Sequence, residues 1–457
     1  MNNLDFISHT YFIGIGGIGM SAIARYFKAQ GKEVAGYDKT QTPLTRELEA
    51  AGITIIYEDD LELLPEWFSS DNDHCLAIYT PAIPSDLKIL HYAKTNHELI
   101  KRSEALSRIT HGKFTIAVAG THGKTTTSTY LAHLLASENK NVTAFLGGIS
   151  SNFNSNYVRH EAPGEEIVVV EADEYDRSFL RLSPNISIIT SCEPDHLDIY
   201  QGYEDLKTTY NHFANRLEPR GRLILHESLA ETFTIREDIN VNFYGFERGV
   251  TASNIQVSNG QFSFSLEQLE LPVLKNGMPG HHNVLNATAA ILATSYAGTD
   301  CEQVPHSLPL FKGIKRRFET IASVDGRTYI DDYAHHPSEI KAAISTARLL
   351  FPERKLTVVF QPHLFSRTRD FALDFKTELR EADELYVMPI YPARETPIPG
   401  VTSDIIIGSK GTVLNHKEVL TKVAENPPEL LLSLGAGNID QLVEPLRELY
   451  SKTVSNE

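Results

Sequence analysis

Cysteine is nearly absent from this chain. Its three residues, Cys75, Cys192 and Cys301, stand far apart in 457. Neither a disulfide framework nor a pair of metal-binding thiols can be built from them. Basic residues are also in short supply, with 42 Lys and Arg against 59 Asp and Glu, a formal charge of −17. A nucleic-acid surface needs a basic face to neutralise phosphates, so that class of partner is not expected. Long apolar runs are missing as well, none approaching the roughly 18 residues of a membrane span. The opening "MNNLDFISHT" carries no basic n-region, so a cytoplasmic protein without a membrane partner is expected. No short-period repeat and no low-complexity tract interrupts the chain.

What remains is an ordinary globular composition, 41% hydrophobic and 22% charged, in a chain long enough for two to four domains. Apolar strands alternate with amphipathic helices almost throughout, which favours an α/β fold with parallel sheets. Composition shifts at "KRSEALSRITHGK" and "GIKRRFE" divide the chain into units of about 1–108, 109–314 and 315–457.

Two stretches look like phosphate cradles. In the first, the strand "YFIGI" runs into Gly14-Ile15-Gly16-Gly17-Ile18-Gly19 and a helix whose apolar stripe is Ile18, Ala22, Ile23, Tyr26 and Phe27. This satisfies G-x-G-x-x-G, and Asp38 follows about 20 residues on, at the end of a second strand. Bare glycine backbone at a helix N-terminus can hold a diphosphate. A dinucleotide and another nucleotide diphosphate fit this loop equally, and Asp38 suits a ribose hydroxyl or a plain strand end.

The second cradle, Gly120-Thr121-His122-Gly123-Lys124-Thr125-Thr126, follows the strand "FTIAVA" and opens another helix. Lys124 offers a point charge for β and γ phosphates, and the Thr125 hydroxyl is a candidate Mg²⁺ ligand. The loop departs from the common P-loop spacing, because Val118 stands where the early glycine would fall. Downstream, the apolar run in "EEIVVVEADEYD" delivers Glu171 at a strand end, with Asp173 and Glu174 just beyond. The strand "NISIITS" leads into "CEPDHLD" and brings His196 to another. In open parallel sheets the ligand crevice lies at the carboxyl ends of strands, so Lys124-Thr125, Glu171 and His196 are expected to converge there, the acidic run standing where a Mg²⁺-binding or water-orienting carboxylate belongs.

In order along the chain, "GTHGKTTT", "EADE", "EPDHLD", "GHHNVLNA", "RRFE" and "DDYAHHPSE" resemble the Mur ligases, the ATP-dependent amide-forming enzymes of peptidoglycan synthesis. "GIGGIGMSAIA", "FQPHLFSRT" and "GAGNID" resemble the branch that acts first. The resemblance implies three α/β domains. These are a Rossmann-like N-terminal domain for a UDP-sugar, a central P-loop ATPase-like parallel-sheet domain for ATP, and a Rossmann-like C-terminal domain for the amino acid that closes over ATP. It further implies UDP-N-acetylmuramate and L-alanine as small-molecule substrates, with ATP and Mg²⁺. Oligomeric state has no sequence signal.

By this resemblance Gly14, Gly16, Gly17, Ile18, Gly19 and Asp38 hold the UDP-sugar. Gly120 through Thr126, with Asn283, Asn286, Arg317 and Asp332, hold ATP. Arg317 then belongs with Lys124, Glu171 and His196 in the catalytic set, and Thr125, Glu171 and His196 form the metal shell. Tyr333, His335 and Arg367 surround the amino acid, with Arg367 pairing its carboxylate. Two departures stand out. Leu364 occupies a position where the family often has arginine. Asn211 falls near the place where later-acting members carry a modified lysine. Other readings stay open: a recycling ligase that attaches a preformed tripeptide to the same sugar nucleotide, a non-ligase nucleotide-binding regulator, and a dehydrogenase.

Overall fold

Strands that read as unbroken apolar runs should be buried on both faces, as parallel strands between helices are. The computed structural model, which describes residues 4–451 except 71–72, 196–198, 259, 394 and 409–410, places them so. The first sheet contains β1 (His9–Ile13), β2 (Glu33–Tyr37), β3 (Thr54–Ile56), β4 (Cys75–Tyr79) and β5 (Glu98–Lys101). All its pairings are parallel, in the order β3-β2-β1-β4-β5. Ile13 lies beside both Tyr37 and Tyr79, so the first glycine loop, Asp38 and Thr80 leave the sheet at one edge. That edge is the switch point of a doubly wound sheet.

The second sheet has eight strands: β6 (Phe114–Ala119), β7 (Val142–Ser150), β8 (Ser155–His160), β9 (Ile167–Glu171), β10 (Ile186–Ile189), β11 (Arg222–His226), β12 (Asn240–Gly245) and β13 (Val250–Thr251). β6 sits between β10 and β9, with Val118 beside Glu171 and Ala119 beside Ile189. The strand therefore continues through 118, which is why no early glycine is needed there. β8 joins antiparallel to β7.

These two sheets belong to one compact unit, residues 1–253, 265–274 and 285–312. Their apolar residues form a continuous core. The helix Ile18–Ala29 docks on β7 and β8: Tyr26 packs on Phe145 at 5.5 Å and on Tyr157 at 6.3 Å. Arg159 donates to the Ala29 carbonyl at 2.9 Å. Ile18, placed on the apolar stripe by periodicity, is 36% exposed. It is the first helical residue, and it lines a cavity together with Ala22, Ile23 and Arg102.

The second unit comprises residues 254–264, 275–284 and 313–457. A small sheet of β14 (Ser253–Ser258), β15 (Gln261–Ser265) and β16 (Leu274–Asn276) precedes a six-stranded one. The latter holds β17 (Glu319–Val324), β18 (Arg327–Asp332), β19 (Leu356–Phe360), β20 (Glu384–Val387), β21 (Gly411–Val413) and β22 (Leu430–Leu434), in the order β17-β18-β22-β19-β20-β21. Only β17 runs antiparallel among its pairings. Asp332 and Phe360 both lie beside Leu434, which brings the loops after β18, β19 and β22 to one edge.

Candidate active site

The first loop is shaped by hydrogen bonds and carries no charge of its own. The N–H groups of Gly14 and Ile15 donate to the Tyr37 carbonyl at 2.8 and 3.0 Å. Gly16 N–H donates to Asp38 Oδ2 at 2.8 Å, and Thr40 N–H to Asp38 Oδ1 at 3.1 Å. Asp38 thus anchors the turn. The first-turn N–H groups of the helix Ile18–Ala29 have no intrahelical acceptor and no acid among them, which leaves a site for an anion. Beside them opens a cleft of about 480 Å³, lined by Gly14, Gly17, Asp38, Asp59, Thr80 and Ile83 among others. That size suits a nucleotide.

The second loop is dense with charge. Gly123 caps the helix Lys124–Ser137 in the left-handed region, at φ 80°. A side chain there would also place its Cβ 2.7 Å from Asn286 Oδ1, so glycine is required twice over. Asn286 accepts from the Thr127 hydroxyl at 3.2 Å and buttresses the loop. Two hydroxyls of this buried helix are satisfied locally: Ser128 and Thr129 donate to the Thr125 carbonyl at 3.1 and 2.6 Å. Thr125 and Thr126 are buried.

Lys124 folds back on its own loop, donating to the Gly120 carbonyl at 2.6 Å and to Glu174 Oε1 at 2.8 Å. Glu174 is fully buried. Burial works against the lysine's charge, but Glu174, Glu171 and Asp173 outweigh it and hold its pKa above the ordinary value. Asp173 shows the mirror image: burial opposes its charge, and Arg102 and Lys124 keep its pKa below the usual carboxylate range.

The segment after β10 is stitched to the same loop. Thr121 Oγ1 and Ser191 Oγ lie 2.9 Å apart, and Glu193 N–H donates to Thr121 Oγ1 at 3.0 Å. His122 N–H donates to Ser191 Oγ at 2.9 Å, while its ring faces Glu193 at 3.3 Å. His196 lies outside the described residues.

Glu171 stands at the end of β9, where Gly147 N–H donates to its Oε2 at 3.1 Å. A Cβ at 147 would fall 2.3 Å from that carboxylate, so the glycine leaves it a cradle. Hard oxygen donors from Glu171 and Thr125 suit Mg²⁺. Asn211 has a structural task, accepting from Thr234 N–H at 2.8 Å.

In the second unit, Arg316 and Phe318 adopt left-handed φ of 62° and 47° on either side of Arg317. Such backbone costs energy in non-glycine residues and needs fixing. Arg316 is tied to buried Asp331 at 2.9 Å and to the Gly435 carbonyl at 2.7 Å. Asp332 accepts from Phe318 N–H and Ala334 N–H, both at 2.7 Å. Arg317 is presented over the Tyr333 ring at 5.1 Å, with Glu339 3.9 Å away. Burial pushes the Asp332 carboxyl up to about 7, against the pull of Arg317.

The paired histidines divide their duties. His336 is the buried N-cap of the helix Pro337–Leu350, accepting from Ser338 N–H. His335 packs on Tyr333 and faces His363 at 6.0 Å. Asn283, buried near the start of the helix His281–Tyr296, donates to the Pro279 carbonyl at 2.7 Å. Leu364, with a left-handed φ of 72°, precedes the short helix Phe365–Asp370, in which Arg367 is buried.

The structure thus groups Lys124, Thr125, Glu171 and Asn286 at one sheet edge of the first unit, and Arg317, Asp332, Tyr333 and His335 around one loop of the second. Nothing in the sequence pattern marks Arg102 or Ser191, and the pattern does not pair Glu174 with its lysine. For Glu174 the acidic run was a signal; for the others none was present.

Three family profiles match in succession: "Mur ligase family, catalytic domain" over residues 9–114, "Mur ligase middle domain" over 118–294, and "Mur ligase, glutamate ligase domain" over 316–430. The UDP-N-acetylmuramate–L-alanine ligase of Christiangramia forsetii is 43% identical over 98% of this chain and 99% of its own length. That of Cytophaga hutchinsonii is 42% identical, covering 98% of each. Among solved structures, the UDP-N-acetylmuramate–alanine ligase of Thermotoga maritima superposes with a TM-score of 0.79 at 28% identity, over 97% of this chain and 99% of that one. A murein peptide ligase from Psychrobacter arcticus shares the fold, with a TM-score of 0.69 at 23% identity over 98% of this chain and 100% of that one.

Proposed function

The chain belongs to the Mur ligase family, and from that premise we propose that it joins L-alanine to the carboxylate of UDP-N-acetylmuramate at the expense of ATP. One observation carries the reading beyond the family. A cavity of about 110 Å³ in the first unit is lined both by Ile18 and Gly19 of the first loop and by Glu171 and Asp173 beside the second. A group attached to a diphosphate on the first helix therefore has a route to the residues around Lys124.

A carboxylate is a poor acyl donor because oxide cannot leave. Its oxygen attacks the γ-phosphorus of ATP, the bond to the bridging oxygen breaks, and ADP departs. The acyl phosphate so formed is attacked by the alanine amine, the acyl carbon–oxygen bond breaks, and inorganic phosphate and one proton are released with the amide. Positioning and charge neutralisation do most of this work.

Lys124 exchanges the Gly120 carbonyl and Glu174 for phosphate oxygens. The first-turn N–H groups and Asp38 hold the UDP moiety. Thr125, Glu171 and His196 would hold Mg²⁺, which when bound would neutralise phosphate charge. Asn283, Asn286, Arg317 and Asp332 are assigned to ATP. Tyr333, His335 and Arg367 are assigned to alanine, with Arg367 holding its carboxylate and Leu364 leaving that task without a second arginine. The domain roles follow the same division: 1–108 for the sugar nucleotide, 109–314 for ATP, and 315–457 for the amino acid.

The recycling ligase reading is disfavoured by the relatives above, which at 42–43% identity are alanine ligases over their whole length. A regulator or a dehydrogenase would leave the Lys124–Glu174 arrangement without purpose. The test is ADP release with UDP-N-acetylmuramate and each amino acid in turn. Alanine-dependent release is expected. Release only with a tripeptide, or none with any acceptor, would contradict the assignment.

A further inference from the structure

The 110 Å³ cavity is lined by an arginine that belongs to neither glycine loop. Arg102 opens the helix Arg102–Thr110 directly after β5 and lines the cavity with Ile18, Gly19, Gly147, Glu171 and Asp173. Its guanidinium lies against the first turn of the helix Ile18–Ala29: a Cβ on Gly19 would fall 2.1 Å from Arg102 Nη1. The bare glycine backbone at 19 leaves the space in which this guanidinium rests. On its other side, Arg102 Nη2 donates to Asp173 Oδ2 at 3.1 Å. Both side chains keep about a third of their surface, at 30% and 36%, so the pair is reachable from the cavity. The neighbouring Lys101 is committed elsewhere, to Asp176 at 3.3 Å.

The charges define a problem. An acceptor carboxylate coming from the first loop must approach Glu171 and Asp173, two anions, before it reaches the phosphate it attacks. Without a cation at that point the approach is repulsive. Arg102 is the cation lining the cavity there, and its planar fork suits a carboxylate. The cavity, about 110 Å³, has room for a carboxylate and its adjoining carbons.

The geometry points to Arg102 as the residue that receives the acceptor carboxylate of the sugar nucleotide, with Asp173 holding its place until the substrate displaces it. This rests on the ligase reading above and adds a specificity-determining residue to it. The exchange swaps one carboxylate for another on the same guanidinium. It also releases Asp173 beside Lys124, with which it interacts electrostatically, so carboxylate binding alters the surroundings of the ATP lysine.

Calorimetry on the full chain without ATP tests this with two ligands, UDP-N-acetylmuramate and UDP-N-acetylglucosamine. The second carries the same uridine diphosphate and lacks the lactyl carboxylate. Arg102→Ala should weaken the first about 10- to 100-fold and leave the second unchanged, with Arg102→Lys falling between. Asp173→Asn removes the internal competitor and should tighten the first roughly two- to five-fold without affecting the second, which a merely structural pair would not do. Equal weakening of both sugars by Arg102→Ala would assign the guanidinium to the diphosphate and overturn the proposal, as would no change in either. The wild-type preference between the two sugars reports separately on the function reading. A wild type that prefers neither would defeat that reading, whereas a preference that survives Arg102→Ala would defeat only the role of Arg102.

Discussion

The two glycine loops begin alike and end differently. Each leaves a buried parallel strand, turns on glycine and opens a helix. The first is anchored by one carboxylate, Asp38, which accepts two backbone N–H groups, and the first turn it leads into has no acid. The second surrounds a lysine with Glu174, Glu171 and Asp173. The contrast separates holding from reacting. A diphosphate that is only held can be bound by neutral backbone dipoles at a helix end. A phosphate that is transferred needs a mobile charge whose partners are already in place.

The sharpest way to break this comparison is Lys124→Ala. Amide formation should fall by about 10³-fold or more, while UDP-N-acetylmuramate binding, measured by calorimetry, stays within about twofold of wild type. Loss of sugar binding together with turnover would mean that the loops do not divide the work. Glu171→Gln comes next. Turnover should drop about 10²-fold and the Mg²⁺ concentration for half-maximal rate should rise, because a charged ligand opposite a divalent cation is lost. An unchanged Mg²⁺ titration would remove Glu171 from the metal shell.

Asp38→Asn probes the first loop. With a neutral amide in place of the carboxylate, one of the two N–H acceptors is lost and the other weakened. The KM for UDP-N-acetylmuramate should rise about 10-fold, with the KM for ATP unmoved. The smallest effect concerns a parallel anchor in the second unit, Asp332, which also accepts two N–H groups but is half-buried, and desolvation raises its pKa to about 7. An unfolded aspartate ionises near 3.9. Between those values the folded chain binds more protons than the unfolded one, so this group's contribution to stability falls as pH rises from about 4 to 7. Relative to Asp332→Asn, wild type should therefore lose urea resistance on going from pH 5 to pH 8. A difference independent of pH would show that the carboxyl ionises normally.

Both loops were legible because their pattern is local: apolar strand, glycine turn, helix. Glu171 was legible for the same reason, since an unbroken apolar run marks where a buried strand ends. Their electrostatic partners were not. Lys124 meets Glu174 across 50 residues and Arg102 meets Asp173 across 71, separations that only the sheet order closes. Helical periodicity puts Ile18 on the apolar stripe with Ala22 and Ile23, and the structure keeps it 36% exposed because that end of the stripe borders a cavity. The composition shift near residue 108 falls where the first sheet gives way to the second. The packing of Tyr26 on Phe145 and Tyr157, which joins the two sheets in a shared core, has no local sequence signature.

The central claim is that a carboxylate presented from the first loop is phosphorylated at the second. Isotope transfer tests it directly. UDP-N-acetylmuramate carrying ¹⁸O in its lactyl carboxylate is turned over with ATP and alanine, and the released inorganic phosphate is analysed by mass spectrometry. The account predicts one ¹⁸O atom in each phosphate, carried across when the acyl carbon–oxygen bond breaks. Phosphate free of ¹⁸O, formed at the same rate as the amide, would contradict it.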